Sequence, residues 1–177
     1  IQDWYNAERR RYGGQGDRYI EFDVIAPQQL DEPPTLMDNS PSMLMNMFAA
    51  WKYMRFFNQL AQQEISNEAY GVRIFILYVG GDGDIAAHSS GSEKGRLAIA
   101  HISQHERNPA YALTTIAHEL GHTLGASDHY NFQTFSAEHP FGFVEPFIDP
   151  LYPQRFAEVM AVDIPISRTP VSYTHLT

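Results

Sequence analysis

The chain has 177 residues, about one domain's worth, and carries 12 basic against 21 acidic side chains for a net charge of −9. With 44% hydrophobic and 13% aromatic residues it can bury a core, which excludes a disordered tail or low-complexity segment. The acidic balance is the wrong sign for a nucleic-acid binder or a polybasic membrane-surface protein, and no apolar run reaches the ~18–20 residues of a bilayer span. There is no cysteine, so disulfide scaffolds, Cys-ligated metals and thiol catalysis are excluded.

Residues 1–12 read as a short helix ended by Gly13-Gly14, with Arg9-Arg10-Arg11 as a solvated face. Tyr19 to Ile25 alternates polar with apolar residues, a strand signal. The polar, proline-rich stretch from Pro27 to Pro34 connects it to a helix over about Ser42 to Gln63. There Met43, Met47, Ala50, Met54, Phe57 and Ala61 recur at helical spacing and predict a core-facing stripe. Val72 to Val79 is almost wholly apolar, which predicts a central strand covered on both faces. Gly80 to Asp84 ends it; Asp82 and Asp84 read as a turn in preference to a calcium loop. His88 lies in a Ser/Gly-rich loop, and Arg96 to Ile102 is a further strand. Pro109 opens a helix that runs to about Leu124 and stops at Gly125. Residues 126–170, rich in Pro, Phe and Gly, read as long ordered loops. The order of elements predicts an α+β or three-layer domain.

The last helix contains His118-Glu-Leu-Gly-His122. Four residues advance about 400° around a helix, so both histidines project from one face toward one metal ion. Glu119, rotated by roughly 100°, is placed to act on a water beside the metal as a general base. Gly125 lies where the helix must stop and turn, and Asp128 follows three residues later, where it can swing back as a third ligand. His129 is the adjacent alternative. By chance, the H-E-x-x-H pattern is expected roughly 0.02 times in a chain of this composition, and the string through Gly125 and Asp128 on the order of 10⁻⁴ times. The pattern therefore predicts one zinc ion.

The string His118-Glu-Leu-Gly-His-Thr-Leu-Gly-Ala-Ser-Asp128 resembles the metzincin clan of zinc endopeptidases, with Asp in place of the usual third His as in the snapalysin variant. Asp128-His129-Tyr130 also resembles that variant's continuation, and Leu151 to Ala161 is similar to a stretch of bacterial proteins sharing the motif. The resemblance implies a metzincin-like zincin domain: a twisted mixed sheet with a backing helix and an active-site helix. Residues 1–170 would form a single zinc metallopeptidase catalytic domain, with 171–177 set aside as a non-native or disordered tail. The resemblance further implies that Met160 packs beneath the histidines. Residues 72–79 would be central, and Leu97, Ala98, Ile99 and Ala100 would lie on an edge strand where an extended peptide docks.

The expected activity is zinc-dependent hydrolysis of peptide bonds in a peptide or protein substrate, through a metal-activated water with Glu119 as general base. A secreted or cell-envelope bacterial location suits such an enzyme, and any leader would precede Ile1. Two alternatives stand beside it: a thermolysin-like arrangement with Glu145 as third ligand, and a catalytically inactive zinc-binding domain. Glu138, His139 and Glu158 read as loop residues, and His101 and His105 as two unrelated surface histidines, with lining the cleft or binding a second ion as their alternative. Tyr130 reads as a packed aromatic, with oxyanion binding as its alternative.

Overall fold

The computed structural model describes residues 1–11, 13, 20–27, 29, 42–64, 71–80, 90–91, 96–134, 136–161 and 164–167. Asp82, Asp84, His88 and the stretch Val171 to Thr177 lie outside them. The chain divides into two compact units, Ile1–Asn67 and Glu68–Thr177.

In the first unit, helix α1 spans Gln2–Arg11 and helix α2 spans Met43–Glu64. Gly13, at φ 77°, takes the left-handed conformation just past α1. The strand expected over Tyr19 to Ile25 is not formed among its described residues. Its polar groups are satisfied by α1 instead. The buried Asn6 side chain donates to the Ile20 carbonyl and accepts from the Ile20 N–H, both at 2.9 Å. Gln2 Oε1 accepts from the Phe22 N–H at 2.9 Å. An extended segment whose backbone is paired by side chains needs no neighbouring strand.

Helix α2 stands where expected, but its buried line differs. Ala49, Tyr53, Phe57 and Ala61 are buried, a strict four-residue spacing that follows one side of the helix. Met43 and Met47, expected in the core, are 78% and 60% exposed, Ala50 is exposed and Met54 is half-buried. The first turns of α2 are apolar almost all round, so composition could not tell which side faces inward. The Tyr53 ring meets Phe57 edge-on at 4.9 Å, and burial pushes its hydroxyl up to about 12.

The second unit holds strands β1 (Arg73–Val79), β2 (Ser90–Gly91) and β3 (Leu97–Ser103) and helix α3 (Pro109–Thr123). The sheet order is β1-β3-β2. β1 runs parallel to β3 along its whole length, from Arg73 opposite Leu97 to Val79 opposite Ser103. β2 is antiparallel to β3, with Ser90 opposite Ile99 and Gly91 opposite Ala98. The architecture is α+β, as expected, but the strand positions are exchanged. β3, expected at the edge, is central: Leu97 through Ile102 are all buried. β1, expected to be central, lies at an edge among the described strands, with Ile76 42% and Tyr78 62% exposed. Both strands are apolar runs, and small residues such as Ala98 and Ala100 suit the middle position, where neighbours crowd from either side.

Helix α3 begins as its sequence requires. Asn108 caps it by accepting the Ala110 N–H at 3.0 Å, and Pro109 fills the first turn, where its missing N–H costs nothing. The helix packs on β3 and reaches β2 and β1, burying Ala117 and Leu120. Gly125, at φ 97°, ends it. Beyond that point the described residues form ordered loops and a single isolated bridge between Tyr130 and Ala137.

Candidate metal centre

The Gly125 turn sends the chain back past the end of α3 and places Asp128 beside the two helix histidines. The Nε2 atoms of His118 and His122 are 3.1 Å apart. Asp128 Oδ1 lies 3.1 Å from the first and 3.4 Å from the second. These three residues are the one group among the described residues whose side chains could hold a metal ion together.

The ring orientations are set by backbone carbonyls. His118 Nδ1 donates to the Val159 carbonyl at 2.9 Å, and His122 Nδ1 donates to the Ala126 carbonyl at 3.0 Å. A carbonyl can only accept, so each neutral ring carries its proton on Nδ1 and presents a bare lone pair at Nε2. Two lone pairs and a carboxylate oxygen therefore converge on one point. Asp128 Oδ1 is buried without a hydrogen-bond partner. Such an arrangement is repulsive unless a cation stands among the three atoms. A tetrahedral ion with bonds of about 2.0–2.1 Å needs ligand atoms roughly 3.3–3.4 Å apart, close to the three spacings found. The donor set and its dimensions fit a divalent metal.

Burial lowers the pKa of His118, more than its contact with Val159 restores it, and His122 adds to the lowering. The ring is thus kept neutral, the form that ligates. Glu119 is almost fully buried, its Oε2 has no hydrogen-bond partner, and burial followed by the Asp128 charge pushes its carboxyl up to about 8. It is not one of the three converging ligands, in keeping with its rotation around the helix.

Of the two candidates for third ligand, the structure brings Asp128 to the histidines. His129 turns away: its Nδ1 lies 3.3 Å from Glu158 Oε2, and its ring rests 5.9 Å from Phe141. Glu145 is excluded as a ligand in this arrangement. It sits in a loop and its carboxylate is held by Arg155 through both Nε and Nη2. His139 donates to the Pro146 carbonyl, and Glu138 accepts from Asn131, so both serve the loop. Of the two histidines expected at the surface, His105 is exposed in the turn after β3, but His101 is buried within that strand because β3 is central.

Met160 is buried, and the turn that carries it is bonded to the site. Its carbonyl accepts the His129 N–H at 2.9 Å, next to the Val159 carbonyl that orients His118. Leu97, Ala98, Ile99 and Ala100 belong to the central strand, so they do not form the open edge expected of them. At Ala98 and Ile99 both sides are paired, by β1 and β2.

Tyr130 stands beside the site: its ring is 6.4 Å from His118, and burial, with the nearby charges of Asp128 and Glu119, pushes its phenol up to about 12. The carbonyls of Ala126 and Val159 were invisible to sequence reasoning because every residue has one. Tyr130 had a faint signal, since it lies two positions after a ligand.

No family model matches the chain, and no curated protein or solved structure shows significant similarity to it.

Proposed function

We propose that this chain is a zinc-dependent endopeptidase with a metzincin-like site. The observation that carries the reading is the convergence of His118 Nε2, His122 Nε2 and Asp128 Oδ1 beside a buried, unpartnered Glu119 carboxylate. Three protein ligands leave a coordination position for water or substrate, as catalytic zinc sites do and closed structural sites do not. When bound, zinc supplies a Lewis acid that polarises a carbonyl and brings the pKa of water toward ~7.

The chain's own residues do the rest. Asp128 and the two neutral imidazoles hold the ion. Glu119 takes a proton from the attacking water at its carboxylate and passes it to the nitrogen of the departing amine. Its low-polarity surroundings favour the protonated form that must exist between those two transfers. The two carbonyls fix the imidazole ligands, a role that partners of metal ligands commonly fill. Among the described strands, the sheet edge on this side is that of β2, which packs against α3, and an extended peptide would pair there.

The alternative of a metal-binding domain without catalysis gives Glu119 no reason to be buried without a partner. The two readings separate in one experiment. Protein purified without chelator is assayed for zinc by elemental analysis and incubated with a mixed peptide library read by mass spectrometry, beside Glu119→Gln. The expected result is one zinc in both proteins, with cleavage by the wild type alone, the variant falling by about 10²–10⁴-fold. Zinc in the wild type with no cleavage of any peptide would favour the inactive domain, and a folded wild type without zinc would overturn both.

A further inference from the structure

Glu158 belongs to a segment without helix or strand, yet its carboxylate makes two connections at once. Oε2 accepts the Met160 N–H at 2.8 Å and lies 3.3 Å from His129 Nδ1, within ion-pair distance but without hydrogen-bond geometry. The backbone of the same turn faces the metal centre. Val159 offers its carbonyl to His118 Nδ1, Met160 offers its carbonyl to the His129 N–H, and the Ala161 N–H closes on the Glu158 carbonyl at 3.0 Å. Residues 158–160 thus touch both parts of the ligand set, the helix through His118 and the loop through the residue after Asp128.

A histidine ring follows the acceptor that its second nitrogen meets, so the direction of His118 Nε2 depends on where the Val159 carbonyl stands. No regular ladder fixes that peptide plane. The Glu158 side chain does so from within the turn, by occupying the Met160 N–H two residues on. Its approach to His129 ties the same turn to the loop that delivers Asp128.

We propose that Glu158 is a positioning residue for the metal centre: one carboxylate clamps the turn that orients His118 to the segment that presents Asp128. This rests on reading His118, His122 and Asp128 as metal ligands. Without the clamp, the Val159 carbonyl and the Asp128 loop move independently, and the three donor atoms no longer hold their spacing. Partners of this kind typically account for 10–100-fold in metal affinity.

The test is the affinity for Zn²⁺ and Co²⁺, by competition with a chromophoric chelator, together with the visible absorption bands of the Co²⁺ form. Wild type is compared with Glu158→Ala and Glu158→Gln, and thermal unfolding of the metal-free proteins reports on the fold separately. The Ala variant should lose about 10–100-fold in affinity and show altered Co²⁺ bands. The Gln variant, which still offers an acceptor to the Met160 N–H, should recover most of both. Wild-type affinity with unchanged bands in Glu158→Ala overturns the proposal. Should that variant not fold, Glu158→Asp serves in its place, since it can close the turn but falls short of His129. A measurable loss of affinity is expected there, and none overturns the proposal. Failure of the wild type to bind either ion overturns this inference together with the metal reading, whereas binding that is indifferent to residue 158 overturns this inference alone.

Discussion

His118 and His122 point their Nε2 atoms at one another across 3.1 Å, and each donates its other ring nitrogen to a backbone carbonyl. Those carbonyls fix the tautomers, so the facing atoms both carry lone pairs. With Asp128 Oδ1 at 3.1 and 3.4 Å, the metal-free site concentrates electron density that only a cation relieves. On the proposed metal reading, metal binding is coupled to folding.

Removing the third ligand should therefore be visible in both. Asp128→Ala is expected to retain far less than one zinc after gel filtration, whereas His129→Ala, which loses only the approach to Glu158, should still retain about one zinc, bound more weakly than in the wild type. A chelator should lower the unfolding temperature of the wild type and leave that of Asp128→Ala nearly unchanged. Elemental analysis and calorimetry check this; zinc lost from His129→Ala and kept by Asp128→Ala would reverse the ligand assignment.

Glu119 gives a pH signature in the metal-free protein. Its carboxyl is raised to about 8 in the fold from an ordinary 4.5, so the folded state holds a proton that the unfolded state has released. Its contribution to stability is fully present below about pH 4.5 and is lost as pH rises through about 8. Glu119→Gln cannot ionise and escapes that loss. In excess chelator, its unfolding temperature should exceed that of the wild type by a margin that grows from pH 5 to pH 8. A margin independent of pH would show that Glu119 ionises normally in the fold.

Tyr130→Phe removes the hydroxyl that interacts with the nearby Asp128 charge while keeping the ring that stands by His118. Metal affinity should fall by about tenfold, and the stability of the metal-free protein should change little. Competition with a chromophoric chelator measures the first and thermal unfolding the second. Unchanged affinity would mean that Asp128 is positioned by the Gly125 turn alone.

Gly142 is required by packing, since a β-carbon there would run into the His129 carbonyl oxygen and lie 2.8 Å from the Glu138 nitrogen. The Glu138 N–H bonds to that same carbonyl at 2.9 Å, one residue after Asp128, the proposed third ligand. Gly142→Ala should thus force the loops apart, destabilise the protein by about 1–3 kcal/mol and weaken zinc binding with it. Chemical denaturation and zinc titration of the variant decide this. Wild-type behaviour in both would show that the loop yields freely.

The pairing of His118 with His122 in the candidate site was legible in the sequence because a helix imposes its own geometry. His118 and His122 share a face wherever the helix packs, and Gly125 marks where the chain can turn back. The cap at Asn108 and Pro109 likewise depends on neighbours in sequence and could be read there. Asp128 against His129 could not be decided so, because adjacent residues after a turn point in different directions and only the turn's dihedral angles select one. The sheet order was misread for a related reason. Residues 73–79 and 97–103 are both apolar runs, and composition records that a strand is buried without recording which strand lies between its neighbours. The buried line of α2 was shifted because its first turns are apolar on several sides. The sequence by itself determined the two histidines, Glu119 and the helix that carries them, since these relations span one helical turn. Only the tertiary structure decided which carbonyls orient the rings and that Asp128 meets both rings, because those contacts depend on backbone groups and turns whose placement no side chain announces.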